Sequence, residues 1–548
     1  MRHAPHLRAS HTARARRLPS AAPATRLEPR SWAVEHGGSA LSDSSSIERH
    51  GIESIPDADR SATIFDFFRI AWGGSNSLAT AVLGAFPIIF GLSFAQGLAA
   101  TVLGVLAGAL ILAPMAVFGP INGTNNAVSS SAHFGVVGRM VGSFLSLLTA
   151  VSFFSISVWS SGDAVVGAVE RMAGTGASDL AFAAAYGFFA LAVLLVSIWG
   201  FGLMLLVNKI AVVAASALFL VGFAAFYPAF DAGFAGQGMA WGEARFWPAF
   251  IGAALVALAN PISFGAFLGD WTRYLPRDTP KGRLMAASVL AQLLSLVPFT
   301  FGLVSTSIIA RLAPRFLEQA DYTGGLLAIA PPAFVLPLMG LAVLSGLSTG
   351  TTSLYGTGLD FSSVFPRLTR PHATLFIGLI AGVLIFVGRF GFNLVDAITT
   401  FVSLIVVMTT PWMVVMMVGY VARRGFYLPE AMQVFNRGQE GGAYWFRGGW
   451  NIAGMSAWIL SAALALLTVN IPGHFVGWLG QLAGGVDISL LAALVLPALL
   501  YPALLYLFPE PRGVFGPLGP RGVPARDCAL APVVARSAPL HSPARSAP

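Results

Sequence analysis

Three hydroxyl side chains in residues 344–352, LSGLSTGTT, stand at a spacing that could hold a cation. Ser345, Ser348 and Thr349 occupy positions i, i+3 and i+4, so a helix places all three on one face. Hard oxygen donors suit sodium, and such a site requires no carboxylate. A purely structural role is the alternative, because hydroxyls in membrane helices commonly bond their own backbone or a neighbouring helix.

Two other segments place helix-interrupting residues in apolar surroundings: residues 72–77 read WGGSNS and residues 258–263 read LANPIS. Pro261 lacks an amide hydrogen, so a break is expected there, and Gly73 and Gly74 tolerate non-helical backbone. Freed backbone groups are costly in lipid and persist only where they face protein, water or a ligand. We therefore predict a site between the two breaks. The alternative is structural, since Gly and Pro are frequent in membrane helices.

Three charged residues in apolar stretches have types that transport chemistry uses. Asp163 ends the segment SFFSISVWSSGD, and a carboxylate inside a membrane is a candidate proton site. The alternative places Asp163 near the outer end of its helix or pairs it with a hydroxyl. Asp270 and Arg273, in GDWTRYLP at 269–276, are predicted to form a gate or an anchoring pair rather than to bind substrate.

Residues 346–350, GLSTG, match the G-x-S-x-G pattern of serine hydrolases. That pattern needs a strand, a tight turn and a helix in a soluble sheet, whereas here it lies inside an apolar segment. The sequence contains neither an H-E-x-x-H zinc motif nor a phosphate-binding loop. We therefore predict neither an enzyme nor an ATP-driven pump, and no cofactor.

The composition is that of a protein embedded in membrane lipid. Of the 548 residues, 56% are hydrophobic and 10% are charged, whereas soluble domains carry about 25% charged residues. The net charge of +8 is explained by basic tails and by loops on one side of the membrane, so we predict no nucleic-acid partner. The one cysteine, Cys528, excludes an intrachain disulfide.

Twelve apolar segments are long enough to cross a bilayer, which takes about 20 residues. These predicted spans lie near 67–92, 95–118, 141–169, 180–199, 203–227, 246–268, 284–310, 332–356, 373–390, 393–421, 452–472 and 485–508. Loops after the even-numbered spans carry twelve Lys or Arg residues, against five after the odd-numbered spans. This excess predicts both termini in the cytoplasm. We expect a plasma membrane, and the Ala-, Gly-, Arg- and Pro-rich composition indicates a bacterial inner membrane.

The two interrupted segments lie in spans 1 and 6, five spans apart, which is typical of transporters built from inverted repeats. The predicted parts are a transporter domain at 47–508, with repeat one at about 67–227, repeat two at about 246–421 and two extra helices at 452–508. Residues 1–46 and 509–548 lack apolar periodicity and are predicted to be disordered cytoplasmic tails. For residues 1–30 the alternative is a transit peptide.

Residues 47–94 carry the first of several motifs that resemble those of one transporter family. They contain Glu-Arg-x-Gly-Ile-x-x-x-Pro, Trp-x-x-x-Asn and Leu-Gly-x-x-Pro, and these motifs resemble the opening of the purine–cytosine permeases of the nucleobase:cation symporter-1 family. Similar segments follow at 118–135, 269–276, 410–427 and 441–451, so the resemblance covers about 47–508. It implies an all-α membrane protein with twelve transmembrane helices, a five-plus-five inverted repeat of the leucine-transporter type, and discontinuous helices 1 and 6.

The chain departs from the family pattern at three places. Ala132 and His133 stand where the family often has Ser-Arg, Gly419 stands where it usually has Asp, and Leu354 stands where many members have Asn. These differences leave open which substrate is carried.

The resemblance implies a substrate site in spans 1, 3 and 6 and a sodium site between spans 1 and 8. Phe153 would stack on a flat ring and Ser157, one turn along, would bond the ring edge. The other implied substrate residues are Asn76, Asn260, Pro261 and Ser263. The implied sodium ligands are Gly73, Asn76, Ser345, Ser348 and Thr349.

The function implied is import of a nucleobase such as cytosine or a purine, or of a similar heterocycle, by cation symport with alternating access. Coupling to protons through Asp163 is the rival to sodium. The alternative functions are a hydantoin or allantoin permease and an amino-acid:cation symporter of the same fold. An amino-acid carboxylate would need exposed amides at a helix N-terminus in span 1, whereas a nucleobase needs a stacking ring in span 3.

Overall fold

The computed structural model describes residues 51–174, 176, 178–365, 368–391, 394–471 and 475–535. The predicted N-terminal tail at 1–46 lies outside these residues. In the described residues, nine helices are long and apolar enough to cross a membrane, and three shorter apolar helices lie at Leu78–Ile89, Pro371–Val387 and Ile452–Thr468. Each of the twelve predicted spans therefore contains an apolar helix, so we keep the same numbers for the observed spans.

The helices of the spans have the following bounds. They are Ile64–Ser75, Leu78–Leu83 and Phe86–Ile89 in span 1; Phe94–Leu112, Ala113–Val117 and Phe118–Asn122 in span 2; Met140–Ala173 in span 3; Asp179–Trp199 in span 4; Phe201–Phe226 and Tyr227–Ala229 in span 5; Phe246–Ser263 and Leu268–Thr272 in span 6; Lys281–Leu293 and Leu296–Leu312 in span 7; Pro332–Val364 in span 8; Arg370–Gly391 in span 9; Leu394–Leu404, Ile405–Thr409 and Thr410–Ala422 in span 10; Ile452–Thr468 in span 11; and Ser489–Leu507 in span 12.

Short elements lie before the first span, between the spans and after the last one. The helices are Asp57–Asp59, Asn126–Ser129, Ser131–Phe134, Arg315–Glu318, Tyr322–Ile329, Pro429–Met432 and Arg512–Phe515. Three strand pairs are Gln439–Gly442 with Ala531–Ala535 and Asn470–Ile471 with Phe475–Val476, both antiparallel, and Glu510–Pro511 with Ala525–Arg526, which is parallel.

The packing of the first ten spans repeats with an offset of five. Span 3 packs on spans 4 and 9, and span 8 packs on spans 9 and 4. Span 2 packs on span 6, and span 7 packs on span 1. Each pair has a counterpart in which both numbers are shifted by five, as an inverted repeat requires. Spans 11 and 12 pack on each other and on span 10, outside this pattern.

Span 1 is interrupted at Asn76 and Ser77, within the predicted segment. The first helix continues through both glycines and ends at Ser75, and Ser77, in extended conformation, caps the next helix by accepting a hydrogen bond from Thr80 N at 3.2 Å. The break is therefore two residues long, because Gly73 and Gly74 remain helical.

Span 6 is interrupted at 264–267, one turn beyond the predicted position at Asn260 and Pro261. The helix continues through Pro261 because span 2 packs closely on that turn. A Cβ atom built on Gly108 of span 2 would lie 2.6 Å from Leu258 O and 3.2 Å from Pro261 Cβ. The backbone of span 2 thus covers the turn that the proline weakens.

A side chain from the loop after span 2 satisfies the backbone at the span 6 break. Asn126 Nδ2 donates to Gly265 O at 2.9 Å and to Met115 O at 3.3 Å. A carbonyl freed by a break in a membrane helix needs such a partner, so this loop and the break of span 6 are structurally dependent on each other.

Residues 509–535 form strands and a short helix, which differs from the disordered tail predicted for 509–548. A buried ion pair anchors this segment: Arg423 Nη2 donates to Glu510 Oε2 at 2.5 Å, and Asn451 Nδ2 donates to Glu510 Oε1 at 2.6 Å. The composition of the tail does not reveal these partners, because they lie at the ends of spans 10 and 11.

The loop after span 2 joins the same buried cluster through His133. Arg423 Nη1 donates to His133 Nδ1 at 2.8 Å, and His133 Nε2 lies 3.0 Å from the hydroxyl of Tyr427. Burial first, and then the charge of Arg423, lower the pKa of His133 well below its usual value. The imidazole is therefore neutral, accepting from Arg423 and donating to Tyr427.

Cys528 allows the predicted topology to be tested without an engineered label site, because it is the one cysteine of the sequence and is exposed. If the C-terminus is cytoplasmic, a membrane-impermeant maleimide should label inside-out vesicles and leave intact cells unlabelled. The Cys528→Ser variant is the control for specific labelling. Labelling of intact cells with an intact membrane would place the C-terminal segment outside.

Candidate substrate and cation sites

A small cavity lies where spans 1, 3, 6 and 10 meet. Its volume is about 10 Å³, roughly the space of one water molecule. The residues that line it are Ala79, Leu83, Phe153, Ile156, Ala259, Asn260, Ile398, Phe401, Val402 and Ile405. The lining is apolar except for Asn260, so this residue is the one that can give the cavity hydrogen-bonding specificity.

Asn260 is buried, with 1% of its surface exposed, and its amide has no hydrogen-bond partner among the described residues. Both Nδ2 and Oδ1 are unpaired, although a carboxamide can donate two hydrogen bonds and accept two. Leaving a buried polar group unsatisfied costs about 1–3 kcal/mol. An unpaired amide that lines a cavity is available to bond a ligand there.

Phe153 presents its ring to this cavity between two other aromatic side chains. The ring of Phe264 lies 6.4 Å away, centroid to centroid, and is within 19° of parallel. The ring of Phe401 lies 5.3 Å away and meets Phe153 edge-on. Phe264 and Phe401 were missed from the sequence. The sequence could have indicated Phe264, because this residue directly follows the helix-interrupting segment LANPIS.

Four residues predicted to bind substrate are engaged elsewhere by their side chains. Ser157 Oγ donates to Gly346 O of span 8 at 3.2 Å, and Ser263 Oγ donates to Asn260 O at 2.5 Å within its own helix. Pro261 packs against span 2.

The fourth, Asn76, uses Nδ2 to bond Val212 O at 3.3 Å and Ser216 Oγ at 2.8 Å, both in span 5. Of the predicted substrate residues, the structure thus brings only Phe153 and Asn260 together at the cavity.

The hydroxyl face of span 8 lies directly against the end of the first helix of span 1. Ser348 Oγ lies 3.0 Å from Gly73 O, and Thr349 Oγ1 lies 3.0 Å from Gly74 O. These four oxygens come from two helices and lie beside the break, as expected for a site where hydroxyls and the carbonyls at the C-terminal end of a half-helix bind a cation. The donor set therefore fits sodium. Gly74 was missed from the sequence.

Two more side chains complete this region. Ser345 Oγ accepts a hydrogen bond from Leu78 N at 3.2 Å, so it caps the second helix of span 1. Asn208 of span 5 accepts a hydrogen bond from Ser348 Oγ at 2.7 Å through Oδ1. Asn208 was missed because nothing in the local sequence of span 5 indicates which helix its amide faces.

Asp163, the predicted proton site, lies ten residues beyond Phe153 in span 3, about 15 Å along the helix axis. Its carboxylate accepts a hydrogen bond from the hydroxyl of Tyr186 in span 4. It lines a separate cavity of about 710 Å³ with Trp159 and the short helix Tyr322–Ile329. The hydrogen bond from Tyr186 agrees with the alternative in which Asp163 pairs with a hydroxyl, whereas the helix continues for ten residues beyond Asp163 to Ala173.

Asp270 and Arg273, the predicted gate, are both fully buried at the end of span 6. Arg273 donates through Nη1 to Gly51 O, ahead of span 1, and through Nη2 to the hydroxyl of Tyr355 in span 8 at 3.2 Å. A Cβ atom on Gly356 of span 8 would lie 2.7 Å from Asp270 Oδ2. The two charged residues therefore bring spans 6 and 8 together at the end predicted to face the cytoplasm.

Comparison with known proteins gives three findings. The model of a family described as permeases for cytosine/purines, uracil, thiamine and allantoin matches residues 54–490. A putative purine-cytosine permease of Bacillus subtilis (strain 168), YxlA, is 24% identical over 465 residues, which are 82% of this chain and 94% of that protein.

The third finding concerns solved structures of Mhp1, a nucleobase-cation-symport-1 family transporter. The closed form with bromovinylhydantoin bound is similar with a TM-score of 0.64 and 17% identity over 84% of this chain and 95% of Mhp1. The inward-facing form is similar with a TM-score of 0.62 and 18% identity over 84% of this chain and 94% of Mhp1. The fold is therefore that of these transporters.

We predict that Gly73→Ala destabilises the contact between spans 1, 5 and 8. The added Cβ would collide with Asn208 Oδ1 and lie 3.0 Å from Ser348 Oγ, and such overpacking costs about 1–3 kcal/mol. The measurement is the apparent melting temperature of the purified protein in detergent, which should fall. Gly187→Ala in span 4 is the matched control, because its Cβ meets nothing within 4 Å. Equal melting temperatures for the two variants would contradict the close approach at Gly73.

Proposed function

Because this chain belongs to the family of permeases for cytosine/purines, uracil, thiamine and allantoin, we propose that it imports a nucleobase or a similar small heterocycle by sodium symport. The protein is a multi-pass membrane transporter with the fold of the nucleobase-cation symporters, and cation coupling is a property of that class. We propose in addition the class of substrate, sodium as the ion, the residues of the two sites and a location in the plasma membrane.

The observation that carries the substrate proposal is the unpaired amide of Asn260 beside the ring of Phe153. A nucleobase has an aromatic face and an edge of alternating donors and acceptors. The face would stack on Phe153, and the edge would pair with both atoms of the Asn260 amide. Allantoin and hydantoins offer a similar amide edge, so they stay within the proposed substrate class.

The cavity is too small for a heterocycle in the conformation described, which supports a transport cycle in which the site opens and closes. A second cavity of about 490 Å³ adjoins it and shares Val402 of span 10. That cavity is lined by the end of span 6 predicted to face outward and by the loop after span 11. We propose that movement of span 10 joins the two cavities, while Asp270 and Arg273 keep the cytoplasmic side closed.

The sodium proposal is supported by the oxygens of Ser348, Thr349, Gly73 and Gly74. Bound sodium would supply a positive charge that holds span 8 to the broken backbone of span 1. Occupancy would thereby favour the conformation in which the substrate cavity is formed, which is the thermodynamic basis of symport.

An amino-acid substrate is disfavoured by the backbone at the break of span 1. A carboxylate would bind free amides at the N-terminus of the second helix. Two of those amides already have side-chain partners: Leu78 N donates to Ser345 Oγ and Thr80 N donates to Ser77 Oγ. This end of the helix therefore has fewer donors to offer an anion.

The first test is uptake of labelled cytosine, hypoxanthine, uracil and allantoin by cells that express the protein, in sodium and in choline buffers at fixed pH. We expect concentrative uptake of at least one compound that is lost in choline. Uptake that is indifferent to sodium but abolished by a protonophore would replace sodium by protons. Absence of uptake of every heterocycle, with the protein present in the membrane, would refute the substrate proposal.

We predict that Asn260→Leu weakens the apparent affinity for the transported compound and at the same time raises the apparent melting temperature. Leucine has a similar volume and removes an unpaired buried amide, which should stabilise the protein without substrate. Loss of one or two hydrogen bonds to the substrate should weaken apparent affinity by about 10- to 100-fold. Ser157→Ala is the control, since its hydroxyl faces span 8 and uptake should continue. Normal uptake by Asn260→Leu would show that the amide does not contact the substrate.

A further inference from the structure

We propose that Asn208 of span 5 provides an additional oxygen ligand to the cation, so that the site joins three helices rather than two. This inference rests on the proposed sodium symport. It assigns a residue that lies outside both interrupted helices and outside the hydroxyl motif of span 8.

The amide of Asn208 is held with its oxygen towards the site. Its side chain is fully buried, and Nδ2 donates to Met204 O of the preceding turn at 3.0 Å. Oδ1 therefore points away from span 5, where it meets Ser348 Oγ at 2.7 Å. A Cβ atom built on Gly73 would collide with the same Oδ1, so the amide oxygen lies directly against the backbone of span 1.

The hydrogen count at Ser348 shows why this arrangement favours a cation. Ser348 Oγ lies within hydrogen-bond distance of two acceptors, Gly73 O and Asn208 Oδ1, but a hydroxyl has one proton to donate. One of the two oxygen–oxygen contacts therefore has no hydrogen between the atoms. Two lone pairs facing each other in a buried site are unfavourable, and a cation bound by all three oxygens removes the conflict.

The neighbouring contact also joins a hydroxyl of span 8 to a carbonyl of span 1, but here the hydroxyl has one acceptor only among the described residues. Thr349 Oγ1 donates to Gly74 O at 3.0 Å, so this pair needs no cation to be satisfied. The shortage of protons is specific to the triangle of Gly73 O, Ser348 Oγ and Asn208 Oδ1. All of these oxygens belong to hydroxyl, carbonyl and amide groups, so the proposed site is built from neutral oxygens.

Neutral oxygen ligands suit a monovalent ion, because they bind it without leaving net negative charge in the membrane when the ion dissociates. Span 5 also contacts the break through Ser216, which accepts from Asn76. Through Asn208, occupancy of the cation site would be communicated to span 5 as well as to span 8.

The test is the sodium dependence of the apparent melting temperature of the purified protein, with choline chloride replacing sodium chloride at constant ionic strength. Sodium should raise the wild-type value with a defined half-saturating concentration. We expect Asn208→Leu to increase that concentration at least 10-fold. Val213→Ala, on the same helix with a side chain that is 65% exposed, is the control and should leave the half-saturating concentration within about 2-fold.

Asn208→Asp is the second variant, and it separates ligation from folding. It keeps an oxygen at the same position but makes it titratable, so the half-saturating sodium concentration should rise as the pH is lowered and the carboxylate is protonated. If Asn208 had only a structural role, the half-saturating sodium concentration of Asn208→Asp would not depend on pH in this way. Asn208→Asp with wild-type sodium affinity at every pH would overturn the inference, even if Asn208→Leu fails to fold.

The outcomes also separate this inference from the proposed function. Sodium stabilisation of the wild type that is unchanged in Asn208→Leu refutes the role of Asn208 and leaves sodium symport intact. Absence of any sodium effect on the wild type, together with uptake that persists in choline, refutes sodium coupling and the role of Asn208 with it.

Discussion

The constraint on which this structure depends is that a broken helix inside a membrane must have its backbone groups satisfied by other parts of the protein. At span 1 the partners are hydroxyls of span 8. Ser345 accepts a hydrogen bond from the amide of Leu78. Ser348 and Thr349 contact the carbonyls of Gly73 and Gly74. The hydroxyls of Ser345, Ser348 and Thr349 therefore satisfy the backbone groups at the break and also form the proposed cation site. These two roles are compatible because a hydroxyl can donate to a carbonyl or bind an ion with the same oxygen.

The two breaks are repaired by different chemistry, and this difference separates their roles. At span 6 the amide of Asn126 donates to Gly265 O, and aromatic rings surround the break, with Phe264 packed against Phe153 and Trp271. The polar break of span 1 suits an ion, whereas the aromatic break of span 6 suits a flat molecule. The cavity with Asn260 is also lined by Ala79 and Leu83 of span 1, so ion and substrate would both contact span 1, which provides a route for coupling.

Two departures from the family pattern prove to be neighbours in space. A Cβ atom on Gly419 would collide with the imidazole of His133. The His133 side chain therefore occupies the space that a side chain at position 419 would need. Where the resemblance leads us to expect an arginine and an aspartate, this chain has a neutral histidine that accepts from Arg423, whose charge is balanced by Glu510. The buried ion pair of Arg423 with Glu510 links the end of span 10 to the C-terminal segment and holds residues 509–535 to the spans.

The sequence by itself determined the class of protein, the number and order of the apolar helices, the interruption of span 1 and the hydroxyl face of span 8. All of these follow from local composition and helical periodicity, which residues express without distant partners. Tertiary structure alone decided where side chains between helices point. Ser157 and Asn76 lie on helices of the site, but their side chains bond spans 8 and 5. Phe401 lines the substrate cavity and Asn208 contacts Ser348 from positions that carry no local signal. The break of span 6 lies one turn beyond its predicted position. The reason is that packing against Gly108 of span 2 stabilises the helical turn at Pro261, which proline alone would end.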